Sequence, residues 1–250
     1  MTKYKLMALD MDGTLLNEWS EISDENAIWI HKAQAAGVTV CFSTGRGFMS
    51  ANPYAHQLQL VTPMITVNGS EVWSKPHELL KRTEMDVAMI AQLHQLAGEY
   101  PDAWFWAYTT EGIYNKEKWI GKQRKLEDYT WLKFGFHTEN DKERAEITEE
   151  LIKWDAFEIT NSSIWNIELN PKGVNKAAAI QEVCKFLNID ISEVIAVGDS
   201  LNDIAAIQAC GLGIAMGNAQ QEVKDAADEI TVTNNEDAIA AIIKKHIFGQ

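Results

Sequence analysis

Short apolar runs that stop abruptly at clusters of aspartate, glycine and hydroxyl side chains mark both ends of this 250-residue chain. Lys5-Leu6-Met7-Ala8-Leu9 runs into Asp10-Met11-Asp12-Gly13-Thr14, and a helical pattern follows from Asp24 to Ala36, closed by Gly37. Val38 to Phe42 runs into Ser43-Thr44-Gly45-Arg46, and Met64 to Val67 into Asn68-Gly69-Ser70. Late in the chain a helix is predicted from about Asn175 to Leu187. A strand from Val194 to Val197 then meets Gly198-Asp199-Ser200-Leu201-Asn202-Asp203, and another follows from Gly213 to Ala215. Parallel strands need a crossover between them, so strand, polar loop and helix in repeated order predict an α/β fold with a Rossmann-like parallel sheet. Ligands bind beyond the carboxyl ends of such strands, and the separated polar clusters are expected to meet there.

The grammar changes between about Arg82 and Lys172. Helical patterns at Val87 to Ala97 and Glu143 to Trp154 alternate with strand-like Ala103 to Thr109, Gly112 to Asn115, Phe157 to Thr160 and Ile164 to Leu169. Adjacent strand pairs near helices predict an inserted α+β module. The expected division is therefore a core of residues 1–82 and 173–250 with an insert at 83–172. With 46% hydrophobic and 23% charged residues, the chain can bury a core, and disorder is excluded.

A formal net charge of −14 disfavours nucleic acid and anionic membrane surfaces as partners, while leaving room for a small anion in a locally cationic cleft. Cys41, Cys184 and Cys210 are odd in number and widely spaced, which predicts ordinary thiols. Apolar runs are short and no signal-peptide pattern opens the sequence, so the expected location is cytoplasmic. The six histidines form no HExxH or HxxxH pair, leaving zinc hydrolysis without support.

Asp10 and Asp12 sit two apart after a buried-type strand, where Gly13 permits a sharp turn. Two carboxylates in a tight loop repel, and a hard cation such as Mg²⁺ relieves that repulsion and also neutralises phosphate oxygens. Taken alone, an Asp-x-Asp pair more often marks a turn. Asp199 and Asp203 form a second acidic cluster, which alone suits a helix-capping loop. Gathering all four without a cation would be unfavourable. Thr44 offers a hydroxyl donor, Gly45 a close backbone approach, and Lys176 a positive charge at a helix start.

Asp10-Met11-Asp12-Gly13-Thr14, Ser43-Thr44-Gly45-Arg46, Lys176 and Gly198-Asp199-Ser200-Leu201-Asn202-Asp203 together resemble the four ordered motifs of the haloacid-dehalogenase-like superfamily. Asn68-Gly69-Ser70, the Gly211 to Ala219 run and Asn235-Glu236-Asp237 extend the likeness toward its Cof-type phosphatases. Lys176 is followed by Ala177 where relatives carry glycine, and Lys172 is a nearby competitor. The resemblance implies a Rossmann-like core with a C2-type cap that selects substrate, and a Mg²⁺-dependent phosphatase acting on a small phosphorylated metabolite, sugar phosphates first. It implies Asp10 as nucleophile and Asp12 as acid and base, with Thr44, Lys176 and Asn202, flanked by Gly45 and Arg46, around the phosphate. It implies Asp10, Asp12 (through its backbone carbonyl) and Asp199 around the metal, with Asp203 in support. A sugar phosphomutase and a binding-only regulator are the rivals; a mutase would need cap arginines, and Arg124 and Arg144 are the two between Thr83 and Lys172.

Lys116, Lys118, Lys122, Arg124 and Lys125 form a basic run, read either as substrate steering or as a solvated helix face. Trp104, Phe105 and Trp106 fall on a predicted strand, so the middle ring is expected to face opposite to its neighbours.

Overall fold

The computed structural model of the chain describes residues 3–121 and 124–250. It divides into two compact units, Met1–Lys81 with Lys176–Gln250, and Arg82–Asn175. Among the described residues, no helix is long and apolar enough to cross a membrane.

The first unit carries an eight-stranded sheet in the spatial order Glu229–Ile230, Leu212–Ala215, Val194–Gly198, Leu6–Leu9, Thr39–Ser43, Met64–Thr66, Glu71–Lys75, Glu78–Arg82. The strands from Glu229–Ile230 to Met64–Thr66 are parallel, and Glu71–Lys75 returns antiparallel. Leu6–Leu9 lies at the centre, with Leu6 opposite both Val194 and Thr39. Because strand side chains alternate, Met7, Leu9, Val40, Phe42, Ile195 and Val197 enter one core layer. Leu6, Ala8, Cys41, Val194 and Ala196 enter the other. Trp29 and Ile30 of helix Asp24–Ala35 and Ile239 and Ile243 of helix Ala238–Phe248 close the first layer. Ala179, Ile180 and Val183 of helix Lys176–Leu187 close the second. Burial on both faces is why these strands read as continuous apolar runs.

The second unit is a five-stranded antiparallel sheet in the order Ile113–Asn115, Trp104–Thr109, Trp131–His137, Asn166–Pro171, Phe157–Thr160. Helices Val87–Glu99 and Asp141–Trp154 cover one face, packing Ile90, Leu93, Ile147 and Leu151 onto Phe105, Phe134, Phe136, Ile167 and Leu169. Mixed α/β architecture with a parallel sheet and a separate antiparallel sheet is thus the fold class read from the sequence.

Element edges differ where side chains cap the backbone. The helix read as starting at Glu143 begins at Asp141, because the Asn140 side chain accepts from the N–H groups of Lys142 and Glu143. The strand read as Ile164 to Leu169 is Asn166–Pro171, because the Asn166 side chain accepts from the N–H groups of Ser162 and Ser163 and holds the preceding residues in a turn. The helix face expected for the basic run is not formed by its described members, which lie in turns and at the start of a short 3₁₀ segment; Lys122 lies outside the described residues. Arg124 makes a two-point pair with Glu111 at 2.7 and 3.0 Å and lies 3.8 Å from the Tyr129 ring centre. The Lys116 amine donates to the carbonyls of Pro101 and Ala103. Two of the cations that would have steered an anion are therefore already paired inside the unit, which weakens steering.

Candidate active site

The loops after Leu6–Leu9, Thr39–Ser43, Met64–Thr66 and Val194–Gly198 and the first residue of helix Lys176–Leu187 bring the expected residues of the first unit together. Asp10 continues the central strand by donating its N–H to the Val197 carbonyl at 3.0 Å. Its carboxylate accepts from Lys176 Nζ at 2.7 Å, and the same nitrogen donates to Asp203 at 2.7 Å. The Lys176 side chain is fully enclosed, and Asp10 and Asp203 are buried with it. Lys172 instead pairs with Asp155 in the second unit, so Lys176 is the lysine beside Asp10.

Asp203 has a second task. Its other oxygen accepts from the N–H groups of Asp199 and Ser200 at 3.1 and 3.2 Å, folding the 199–203 loop around its own carboxylate. Asp199 is aimed by hydroxyls: Thr14 donates to one oxygen and Ser200 to the other, each at 3.0 Å. Gly13 makes this approach possible. Its φ is +77°, and a Cβ there would stand 2.6 Å from Asp199 Oδ2. Gly13→Ala is expected to push the Asp199 carboxylate aside and to lower kcat/KM at least about tenfold, since left-handed strain of about 1–2 kcal/mol adds to the clash. Steady-state rates on a folded variant check this, and an unchanged kcat/KM would mean that Asp199 placement is unimportant.

One oxygen from each of Asp10, Asp199 and Asp203 lies within 4.8 Å of the others. Burial, opposed by Lys176 and reinforced by Asp203 and Asp199, holds the Asp10 carboxyl well above the usual carboxylate range. Burial and Asp203 push Asp199 up to about 6. One lysine therefore does not satisfy two buried carboxylates and the half-buried Asp199, and a hard oxygen-only donor set with unmet negative charge fits a divalent cation such as Mg²⁺. A cation placed at Asp199 would compete with protons below about pH 6.

Asp12 stands apart from this group. Its carboxylate is engaged by Arg46 through two hydrogen bonds of 2.7 and 2.6 Å, and its side chain is 55% exposed. Arg46 lies 5.1 Å from the Tyr54 ring centre and is thereby committed to its neighbours in this state. Thr44 is buried, and its hydroxyl oxygen accepts from the Arg46 N–H at 3.1 Å, which leaves the O–H to donate; Gly45 lies between them.

Asn202 is buried, donates to Asn68 Oδ1 at 3.2 Å, and has an enclosed carbonyl oxygen without a partner. Asn68 was not singled out as a site residue by sequence reasoning. Its φ of 56° and ψ of 23° match the turn that Asn-Gly after a strand signals, and that signal pointed to it. Thr14 and Ser200 were also missed, because an aiming role depends on a partner 185 residues away for Thr14 and on loop closure for Ser200. Asn218 donates to the Gly13 carbonyl at 2.8 Å and so ties the late Gly211 to Ala219 run to the first acidic loop.

Parallel strands ending in gathered carboxylates and one enclosed lysine define an α/β enzyme core. Haloacid dehalogenase-like hydrolases match residues 7–243, and the chain belongs to that family. A 5-amino-6-(5-phospho-D-ribitylamino)uracil phosphatase of Bacillus subtilis, YcsE, is 46% identical over 98% of this chain and 96% of the relative. A second B. subtilis protein of the same description, YitU, is 29% identical over 98% of both chains. A solved haloacid dehalogenase-like hydrolase from B. subtilis superposes with a TM-score of 0.87 at 25% identity, covering 96% of this chain and 99% of that one. These likenesses place the chain in the Cof-type phosphatase branch.

Proposed function

We propose that the protein is a Mg²⁺-dependent phosphatase of a small phosphate monoester that works through an aspartyl-phosphate on Asp10. The observation that carries this reading is the group of buried Asp10, Lys176 and Asp203 with half-buried Asp199 at adjacent strand ends. Asp10, Asp199 and Asp203 would hold the cation, with the backbone carbonyl of Asp12. Bound Mg²⁺ supplies charge neutralisation for phosphate oxygens.

An Asp10 oxygen attacks phosphorus as the ester P–O bond breaks, leaving a phosphoryl group on Asp10. Asp12 gives a proton to the departing alkoxide. Because Arg46 holds Asp12 at two points, that pair must open before Asp12 can act. Asp12 then takes a proton from water, whose oxygen attacks the acyl phosphate and returns Asp10 and inorganic phosphate. Lys176 screens Asp10 from Asp203 and lowers the negative charge that an incoming phosphate meets. Thr44 and Asn202 offer an O–H and an N–H to the phosphoryl oxygens.

Residues 83–172 are proposed as the substrate-selecting cap. Sequence alone put sugar phosphates first. The names of the two B. subtilis relatives move the preference to 5-amino-6-(5-phospho-D-ribitylamino)uracil, a phosphorylated sugar alcohol on a pyrimidine. The mutase reading loses ground, because Arg124 is paired with Glu111, and Arg144 with Asp141.

Phosphate release from this ester, from sugar phosphates and from nucleotides, each with Mg²⁺ or EDTA, tests the reading. The uracil ester is expected to show the highest kcat/KM, and EDTA to lower it at least about a thousandfold, as several kcal/mol of transition-state stabilisation are removed. Release that EDTA leaves untouched would refute the metal site.

A further inference from the structure

Residues 10–23 link strand Leu6–Leu9 to helix Asp24–Ala35 and carry the first acidic cluster, yet they form only turns and an isolated bridge between Asp12 and Leu16. Side chains from the two loops after strands Leu212–Ala215 and Glu229–Ile230 fasten this segment. The Asn218 amide donates to the Gly13 carbonyl and the Asn234 amide to the Leu16 carbonyl, each at 2.8 Å. Asn235 Oδ1 accepts from the Glu18 N–H at 3.1 Å, and Asp237 Oδ1 accepts from the hydroxyl of Ser23, the cap of the following helix, at 2.5 Å. The Gly211 to Ala219 run and Asn235-Glu236-Asp237, which supply none of the gathered carboxylates, thus form with Asn234 one side of a clasp on the first acidic loop.

Within the clasp, Asn218 has a fixed orientation. Its Oδ1 accepts from the Asn234 N–H at 3.0 Å, which turns its nitrogen to the Gly13 carbonyl. The preceding Gly217 donates its N–H to the Val232 carbonyl at 3.0 Å, and a Cβ there would stand 2.9 Å from the Val232 carbonyl carbon, so the two late loops abut where Asn218 emerges. The carbonyl that Asn218 holds belongs to the Gly13–Thr14 peptide, and Asp199 is aimed from both ends of that peptide. At one end the bare Gly13 Cα leaves room for the carboxylate, and at the other Thr14 donates to Asp199 Oδ1 at 3.0 Å. The Asp199 carbonyl in turn accepts from the Gln220 N–H at 3.0 Å. One loop, 217–220, therefore grips both Asp199 and the segment that aims it.

We infer that Asn218 is a positioning residue for the phosphatase site: by fixing the Gly13–Thr14 peptide it sets where the Asp199 carboxylate stands against Asp10. This rests on the phosphatase reading and deepens it, since it assigns part of the rate to a side chain that touches none of the reacting groups. Asn218 is exposed, and an exposed neutral hydrogen bond adds little to overall stability. Displacement of a charged group by a fraction of an ångström, in contrast, is costly to a reaction that depends on alignment. The effect of losing Asn218 is therefore expected in the chemical step and in the local order of residues 13–18, with the fold retained.

The test is a double-mutant cycle of Asn218→Ala and Thr14→Val on the full chain, read by kcat and KM for the best ester of the panel, by amide hydrogen exchange, and by melting temperature in EDTA and in Mg²⁺. Asn218→Ala is expected to lower kcat about tenfold with KM within about twofold, and to speed exchange at residues 13–18 about tenfold while the strands keep their protection. Its melting temperature in EDTA is expected to match wild type, and its rise on adding Mg²⁺ to be smaller. The combined variant is expected to turn over within about threefold of Thr14→Val alone, because both changes act through one contact on Asp199. Losses that multiply in the combined variant, or a raised KM with kcat unchanged, overturn the positioning role. If Thr14→Val does not fold, the kcat and KM of Asn218→Ala together with its exchange decide. If wild type hydrolyses none of the esters, the phosphatase reading fails separately: faster exchange confined to residues 13–18 with a smaller Mg²⁺ rise still supports the role of Asn218 in placing Asp199, and wild-type values of both overturn it.

Discussion

Asp10→Asn is expected to fold and to lower phosphatase turnover by about ten-thousandfold, the scale on which removal of a covalent nucleophile acts. Asparagine keeps the shape of the side chain, and its oxygen can still accept from Lys176. What it lacks is the anionic oxygen that attacks phosphorus. Because burial and the neighbouring carboxylates already oppose the charge on Asp10, its loss should leave the fold intact or firmer. Thermal unfolding alongside single-turnover rates separates the two effects. Turnover within tenfold of wild type would remove Asp10 from the chemistry.

Lys176→Met is expected to act on stability as well as rate. The ammonium is fully enclosed and bonded to Asp10 and Asp203, and those carboxylates together raise its affinity for the proton well above that of a free lysine. Methionine fills a similar volume but leaves two buried carboxylates without their cation. Removing one partner of such a pair costs about 3–5 kcal/mol, or roughly 10 °C in melting temperature for a chain of this size. The loss should be greatest in EDTA and partly recovered by Mg²⁺, because a cation on the same carboxylates replaces some of the missing positive charge. A melting temperature equal to wild type in EDTA would contradict the charge arrangement described for this site.

Much of this site was legible in the sequence because its residues follow the strands that hold them. A buried parallel strand reads as a short apolar run, and the polar residue after it is placed by the sheet itself, which is why the positions of Asp10, Thr44 and Asp199 at strand ends could be read from the sequence. Side-chain direction was less accessible. Asp12 is two residues from Asp10, yet its carboxylate goes to Arg46, a partner visible only once two loops are adjacent. Asp203 read as metal support, whereas it also holds Lys176 and closes the 199–203 loop.

In the inserted unit, alternation on Trp104–Thr109 correctly separated Phe105 from its neighbours, and Phe105 enters the core under the helices. The seat of Trp106 on the other face depends on Gly135 of a different strand, where a Cβ would come within 2.4 Å of the ring, a pairing that no local pattern in Trp104-Phe105-Trp106 contains. The basic run failed for a related reason. A charge pattern resembles a helix face, but Glu111 and the carbonyls of Pro101 and Ala103 claim two of its cations, Arg124 and Lys116, through tertiary contacts.

The central claim is a phosphoryl group carried by Asp10. Acid quenching during turnover of the uracil ester with Mg²⁺, followed by peptide mass spectrometry, tests it directly. The account predicts a peptide spanning Asp10 heavier by one phosphoryl group in wild type and unmodified in Asp10→Asn. Rapid phosphate release with that peptide unmodified at every quench time, or with the phosphoryl group on another residue, would contradict it.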